Sequence, residues 1–91
     1  MKIVWDETKR YQNLRKHGID FLDCHLVLAG FTLTIEDEGL DYGEQRFITF
    51  GVLEGRVVSV VHAEWESEIR VISMRKATRH EQKNFFQNLP D

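Results

Sequence analysis

The chain has 91 residues, of which 42% are hydrophobic and 30% charged, with a formal net charge of −3 and one cysteine. That length makes a single small domain spanning residues 1–91, with a thin core, since a chain this size buries only about two thirds of its unfolded surface. The composition fits a globular rather than a disordered domain, a lone Cys24 excludes an internal disulfide, and no apolar run approaches the roughly 20 residues of a membrane span. MKIVWDETK lacks a signal-peptide core, so the expected setting is the cytoplasm, away from any membrane.

The charge is unevenly spread. Met1 to Gly18 carries five Lys/Arg against two acids, and Arg70 to Asp91 carries five against two. Between them Glu36, Asp37, Glu38, Asp41 and Glu44 form an acidic run. If the two ends meet in the fold they make one basic face; the alternative is an ordinary mixed surface.

Lys2 to Trp5 is a short strand. Asp6 caps a helix that runs from Glu7 to His17 and ends at Gly18. This helix is mostly polar and exposes Lys9, Arg10, Arg15 and Lys16. Asp20 caps a second helix, with Phe21, Leu22, His25, Leu26 and Ala29 at helical spacing and His25 on its buried stripe. Phe31, Leu33 and Ile35 alternate with Thr32, Thr34 and Glu36, a half-buried strand that precedes the acidic loop. Arg46 to Leu53 and Arg56 to Glu64 are two strands joined at Glu54-Gly55, with Gly55 supplying a positive φ. After a turn at Ser67, Glu68 to Met74 is the last strand. Thr78 and Glu81 have capping-box spacing and open a helix that reaches about Asn88. The expected fold class is α+β: one antiparallel sheet, two N-terminal helices and a C-terminal helix.

The chemistry gathers where the last strand meets the last helix. Arg75, Lys76 and Arg79 stand at a helix N-terminus, whose partial positive charge favours anions and gains nothing from cations. Three of them there point to an external anion such as phosphate, or else to pairing with the acidic loop. Strand alternation puts Arg70 on the face of Ile72 and Met74, and Ser73 with Arg75 on the other. Among the histidines, His17 closes a basic helix and His62 sits mid-strand among valines; either is a candidate acid or base. His25 reads as structural, and His80 lies in the first turn of the last helix. No metal or cofactor motif is present: there is no HExxH, CxxC, P-loop or GxGxxG, and the acidic run lacks an EF-hand pattern. Trp5, Tyr11, Phe47 and Trp65 are candidates for stacking on bases or for packing.

Three stretches taken together carry a resemblance. These are WDETKRYQNLRKHGIDF (Trp5 to Phe21), DYGEQRFITFG (Asp41 to Gly51) and IRVISMRKATRHE (Ile69 to Glu81). In this order they resemble the BrnT family of bacterial type II toxins over nearly the whole chain. The resemblance implies a RelE-like fold and a toxin that cleaves RNA and inhibits translation. It also implies a cognate antitoxin with a ribbon-helix-helix part, a hetero-oligomer with it, and contact with operator DNA only through that complex. By matching motif, the site residues are Lys16, His17, Arg70, Ser73, Arg75, Lys76 and Arg79. Met74 departs from a usual alanine, Trp65 from a frequent arginine, and Phe85 from a common tyrosine. The expected chemistry is metal-independent. His17, or after it His62, moves the proton; Arg70 and Arg75 stabilise the phosphorane; Lys16, Lys76 and Arg79 hold flanking phosphates. The competing expectation is a non-catalytic module that grips RNA or antitoxin with the same face.

Overall fold

The computed structural model describes residues 1–37 and 43–90. The Glu38, Gly39 and Asp41 part of the acidic loop therefore lies outside the described residues. The strands are β1 (Lys2–Val4), β2 (Leu33–Asp37), β3 (Arg46–Leu53), β4 (Arg56–Trp65) and β5 (Glu68–Lys76). The helices are α1 (Glu7–His17), α2 (Cys24–Ala29, entered through a 3₁₀ turn at Phe21–Asp23) and α3 (Arg79–Gln87). The five strands form one sheet in the order β1-β5-β4-β3-β2.

The α+β class stands, with one correction to the sheet. β2 to β5 are antiparallel neighbours, but β1 runs parallel to β5, pairing Lys2–Val4 with Glu68–Arg70. The sheet is therefore mixed. A parallel pair needs a long crossover, and here the whole chain between β1 and β5 provides it. The β3–β4 turn is tighter than its glycine alone requires: both Glu54 (φ 51) and Gly55 (φ 79) are left-handed, the conformation whose twist matches the flanking strands.

Two apolar layers cover the sheet. On one face Phe21, Cys24 and Val27 pack on Leu53, Val58, Val60, Val71 and Met74, with Ile3, Trp5 and Ile19 at the margin. Trp5 meets Phe21 edge to face, 6.4 Å between centroids. On the other face α3 buries Phe85 against Phe50, Val57 and Ala77. Each such side chain contributes about 1.5–3 kcal/mol by leaving water. The departures at Met74 and Phe85 thus both fall in the core, where they supply volume. His25, expected on a buried stripe, is exposed instead, its Nδ1 2.9 Å from the Leu22 carbonyl oxygen. Only one short turn of the helix faces the sheet, through Cys24 and Val27.

Candidate active site

One buried polar side chain positions the end of α1. Asn13 is the only buried residue of that helix. β1 covers the outer edge of β5 only as far as Arg70. Beyond it, the Met74 N–H donates to Asn13 Oδ1 (3.1 Å) and Asn13 Nδ2 donates to the Met74 carbonyl (2.9 Å) and to the Ile19 carbonyl (3.0 Å). The amide takes the place of a neighbouring strand and satisfies backbone groups that burial would otherwise leave unpaired. Gly18 then closes the helix in the left-handed conformation (φ 71), its N–H donating to Leu14 O at 2.8 Å.

This anchoring holds Lys16 and His17 against β5. His17 borders two clefts. One, of about 250 Å³, is lined by Lys9, Gln12, Lys16, His17, Ile72 and Ser73; the other, of about 170 Å³, brings His17 to Lys76, Arg56, Glu54 and Asp23. Four expected site residues, Lys16, His17, Ser73 and Lys76, therefore meet at one corner of the molecule. Lys16, His17 and Lys76 are exposed and have no ion pair among the described residues. Arg10, also on α1, is committed elsewhere: it pairs with Glu7 at 2.6 Å and Asp20 at 3.1 Å, which raises its pKa further.

The facing of β5 differs from simple alternation. Val61 pairs with Ser73 and His62 with Val71, so Ile72 is an extra residue, a β-bulge. The bulge resets the pleat. Val71 and Met74 share the core face beneath α2, and Arg70, Ser73 and Arg75 share the opposite face, where α3 lies. The sequence expectation that separated Arg70 from Ser73 and Arg75 is thus corrected.

Both arginines of that face meet carboxylates. Arg70 Nη2 donates to Glu44, at the end of the acidic run, and its guanidinium lies 4.9 Å from the Trp65 ring centroid. Arg75 forks onto Glu81, with Nη1–Oε1 2.8 Å and Nη2–Oε2 3.0 Å. Glu81 also completes the capping box: it accepts from the Thr78 N–H at 2.8 Å, and its own N–H donates to Thr78 Oγ1 at 3.1 Å. The Arg75 fork holds its carboxyl at about 2. Arg79 is exposed on the first turn of α3, as is His80.

His62 stands apart from this group. It is 1% exposed. Its Nε2 is 2.8 Å from Thr49 Oγ1, its Nδ1 is 3.6 Å from Glu64, and its ring stacks on Phe47. Burial lowers its pKa, opposed by Glu64. Its cross-strand partner is Val71, so it belongs to the sheet face opposite Arg70, Ser73 and Arg75. Cys24 is fully buried and its thiol is pushed up to about 11, which leaves it protonated at neutral pH.

Among the described residues, no cluster of three or more His, Cys, Asp or Glu is arranged to hold a metal ion, and no helix is long and apolar enough to cross a membrane. Sequence reasoning gave no site role to Asn13, Arg46 or Arg56. Strand register brings the two arginines into play: Arg46 lies across from Ala63, and Arg56 begins β4 beside the His17 cleft.

The molecule is thus a small α+β domain with a corner of unpaired cations and a histidine, suited to a polyanion. Residues 5–81 match the family described as "Ribonuclease toxin, BrnT, of type II toxin-antitoxin system", and the chain belongs to that family. Its class of substrate is RNA, and an antitoxin is its partner. No curated protein matches the chain closely enough to stand as a relative.

Proposed function

We propose that the chain cleaves single-stranded RNA by metal-independent transesterification at the His17 corner. The observation that carries this reading is the anchoring of α1 by Asn13, which sets His17 between Lys16, Ser73 and Lys76. A base removes the ribose 2′-OH proton. The 2′-oxygen bonds to phosphorus, and the P–O5′ bond breaks as the leaving oxygen takes a proton. The products are a 2′,3′-cyclic phosphate and a 5′-hydroxyl. His17 is the proton-transfer group, exposed and at the cleft. Lys16 and Lys76 neutralise the phosphorane or its flanking phosphates. Arg70, Ser73 and Arg75 hold the strand across the adjoining face, and Arg79 meets it at α3. His62, within the sheet, supports β3 and β4 through Thr49. The RelE-like comparison, translation arrest, a ribbon-helix-helix antitoxin and operator contact only through the complex accompany this reading.

The test is cleavage in EDTA of an RNA and of the DNA of the same sequence, by the native chain and by His17→Ala. The native chain should cut the RNA alone and leave cyclic-phosphate ends, and His17→Ala should be about 100-fold slower or worse. A native rate in His17→Ala removes His17 from the role, and a strict need for a divalent cation refutes metal independence. The binding-only reading draws on one observation, the carboxylates that engage both Arg70 and Arg75. It predicts RNA retention with no product under any of these conditions.

A further inference from the structure

Register places Arg46, Ala63 and Arg70 side by side across β3, β4 and β5. Cross-strand partners share a face and adjacent strands lie about 4.8 Å apart. The two guanidiniums therefore rise from the same side, flanking a methyl group. Both converge on a single carboxylate oxygen: Glu44 Oε1 lies 3.5 Å from Arg46 Nη2 and accepts from Arg70 Nη2. Two guanidiniums meeting one anionic oxygen is also how arginines hold a phosphate. Arg70 is oriented further by Trp65, which remains 49% exposed. The hollow beside Trp65 is rimmed by Glu66, Ser67 and Glu68. Those carboxylates repel a phosphate but accept from the amino group of a base.

We propose that Arg46, Arg70 and Trp65 form a nucleotide subsite. One phosphodiester of single-stranded RNA lies between the arginines, a base packs against Trp65, and Glu44 occupies the phosphate position in the free chain. This rests on the RNA-cleavage reading and gives it a second point of contact, on the sheet face away from the α2 layer. The side chains of Glu44 and Arg46 are 19% and 21% exposed and that of Arg70 39%, so solvent reaches the group from one side, and a phosphate replaces the Glu44 carboxylate as one charge-assisted partner for another. Glu44 is then an internal competitor of RNA, and that distinguishes the proposal from a purely structural role. A structural carboxylate loosens the protein when removed; a competitor tightens the ligand.

The experiment is fluorescence anisotropy with an uncleavable 2′-O-methyl RNA, with melting temperature followed in parallel. Glu44→Gln should tighten binding several-fold, and more than Glu7→Gln, which makes the same charge change on α1. Trp65→Ala should weaken binding about tenfold. Arg46→Ala should weaken it and lower the salt dependence by about 0.7 in log–log slope for the lost phosphate. Equal effects of Glu44→Gln and Glu7→Gln overturn the proposal. So does unchanged binding by Trp65→Ala, a native chain that binds no RNA, or a Glu44→Gln chain that tightens only on antitoxin. Metal-free cleavage with none of these shifts leaves the ribonuclease reading standing and the subsite refuted. The shifts without cleavage give the reverse.

Discussion

Replacing Glu81 by Gln isolates the Arg75 fork. Glutamine still reaches the Thr78 N–H, so the capping box keeps its shape, while the charge-assisted pair with Arg75 is lost. Holding a carboxyl at about 2 against its ordinary 4.5 corresponds to roughly 3 kcal/mol at about 1.4 kcal/mol per pH unit. The side chains of Arg75 and Glu81 are 35% and 23% exposed, and solvent screening reduces this to about 1–2 kcal/mol. For a domain of this size that is a melting temperature lower by roughly 5–15 °C at pH 7. The sign with pH follows from the depressed pKa. The stabilisation is complete above about 4.5 and is lost as pH falls through about 2, below which the carboxyl is protonated in the folded and unfolded chains alike. Melting curves of the native and Glu81→Gln chains at pH 7, 4 and 3 should show a gap that narrows with acid. A gap absent at pH 7, or constant down to pH 3, refutes the pair as a stabilising contact.

Three further outcomes rest on packing. Asn13→Ala strips partners from a buried N–H and a buried carbonyl of Met74, and it should cost about 2–4 kcal/mol in urea unfolding; a loss under about 0.5 kcal/mol contradicts the anchoring role. Gly51→Ala puts a Cβ 2.7 Å from Val27 Cγ1 and 3.1 Å from the Val27 carbonyl oxygen, and a rotamer change relieves only the first. About 1–3 kcal/mol of overpacking is expected in the same assay, against no change if α2 sits loosely on β3. Cys24, buried with its thiol at about 11, should resist a thiol reagent at pH 8 until denaturant is added; prompt labelling of the native chain would mean that the α2 layer opens readily.

The local signals in the sequence carried most of the fold. Asp6, Gly18, Asp20 and the Thr78–Glu81 box are observed as caps, and Glu54-Gly55 as the hairpin turn. These features act within a few residues of themselves, so the chain order alone expresses them. What was not legible depended on distant partners. A three-residue strand gives no sign of whether it will pair in parallel, and β1 finds its register across more than sixty residues. The bulge at Ile72 looks like any β-branched strand residue. It shows only in the register against β4, where Val61 meets Ser73 and His62 meets Val71. The site suffered from that same gap. Alternation through Ile72 separated Arg70 from Arg75, and Asn13 stood out only as a position in a matching stretch, with nothing to show that its amide pairs with Met74.

A net charge of −3 hides two kinds of cation, sorted by what they touch. Arg10, Arg70 and Arg75 each meet a carboxylate within the fold, which uses several acids and leaves nearly neutral, well-oriented pairs. Lys16, His17, Lys76 and Arg79 have no such partner among the described residues and stand exposed at the ends of α1 and β5 and the start of α3. On the proposed reading, a polyanion approaching from solution meets the second group first, since charges without a partner act at longer range than paired ones. On that reading, Arg70 is then reached by exchange of phosphate for the Glu44 carboxylate, and its planar guanidinium supplies orientation that a lysine does not. Capture by the lysines and registration by the arginines are therefore separable. Salt should weaken the first, and loss of Glu44 should strengthen the second.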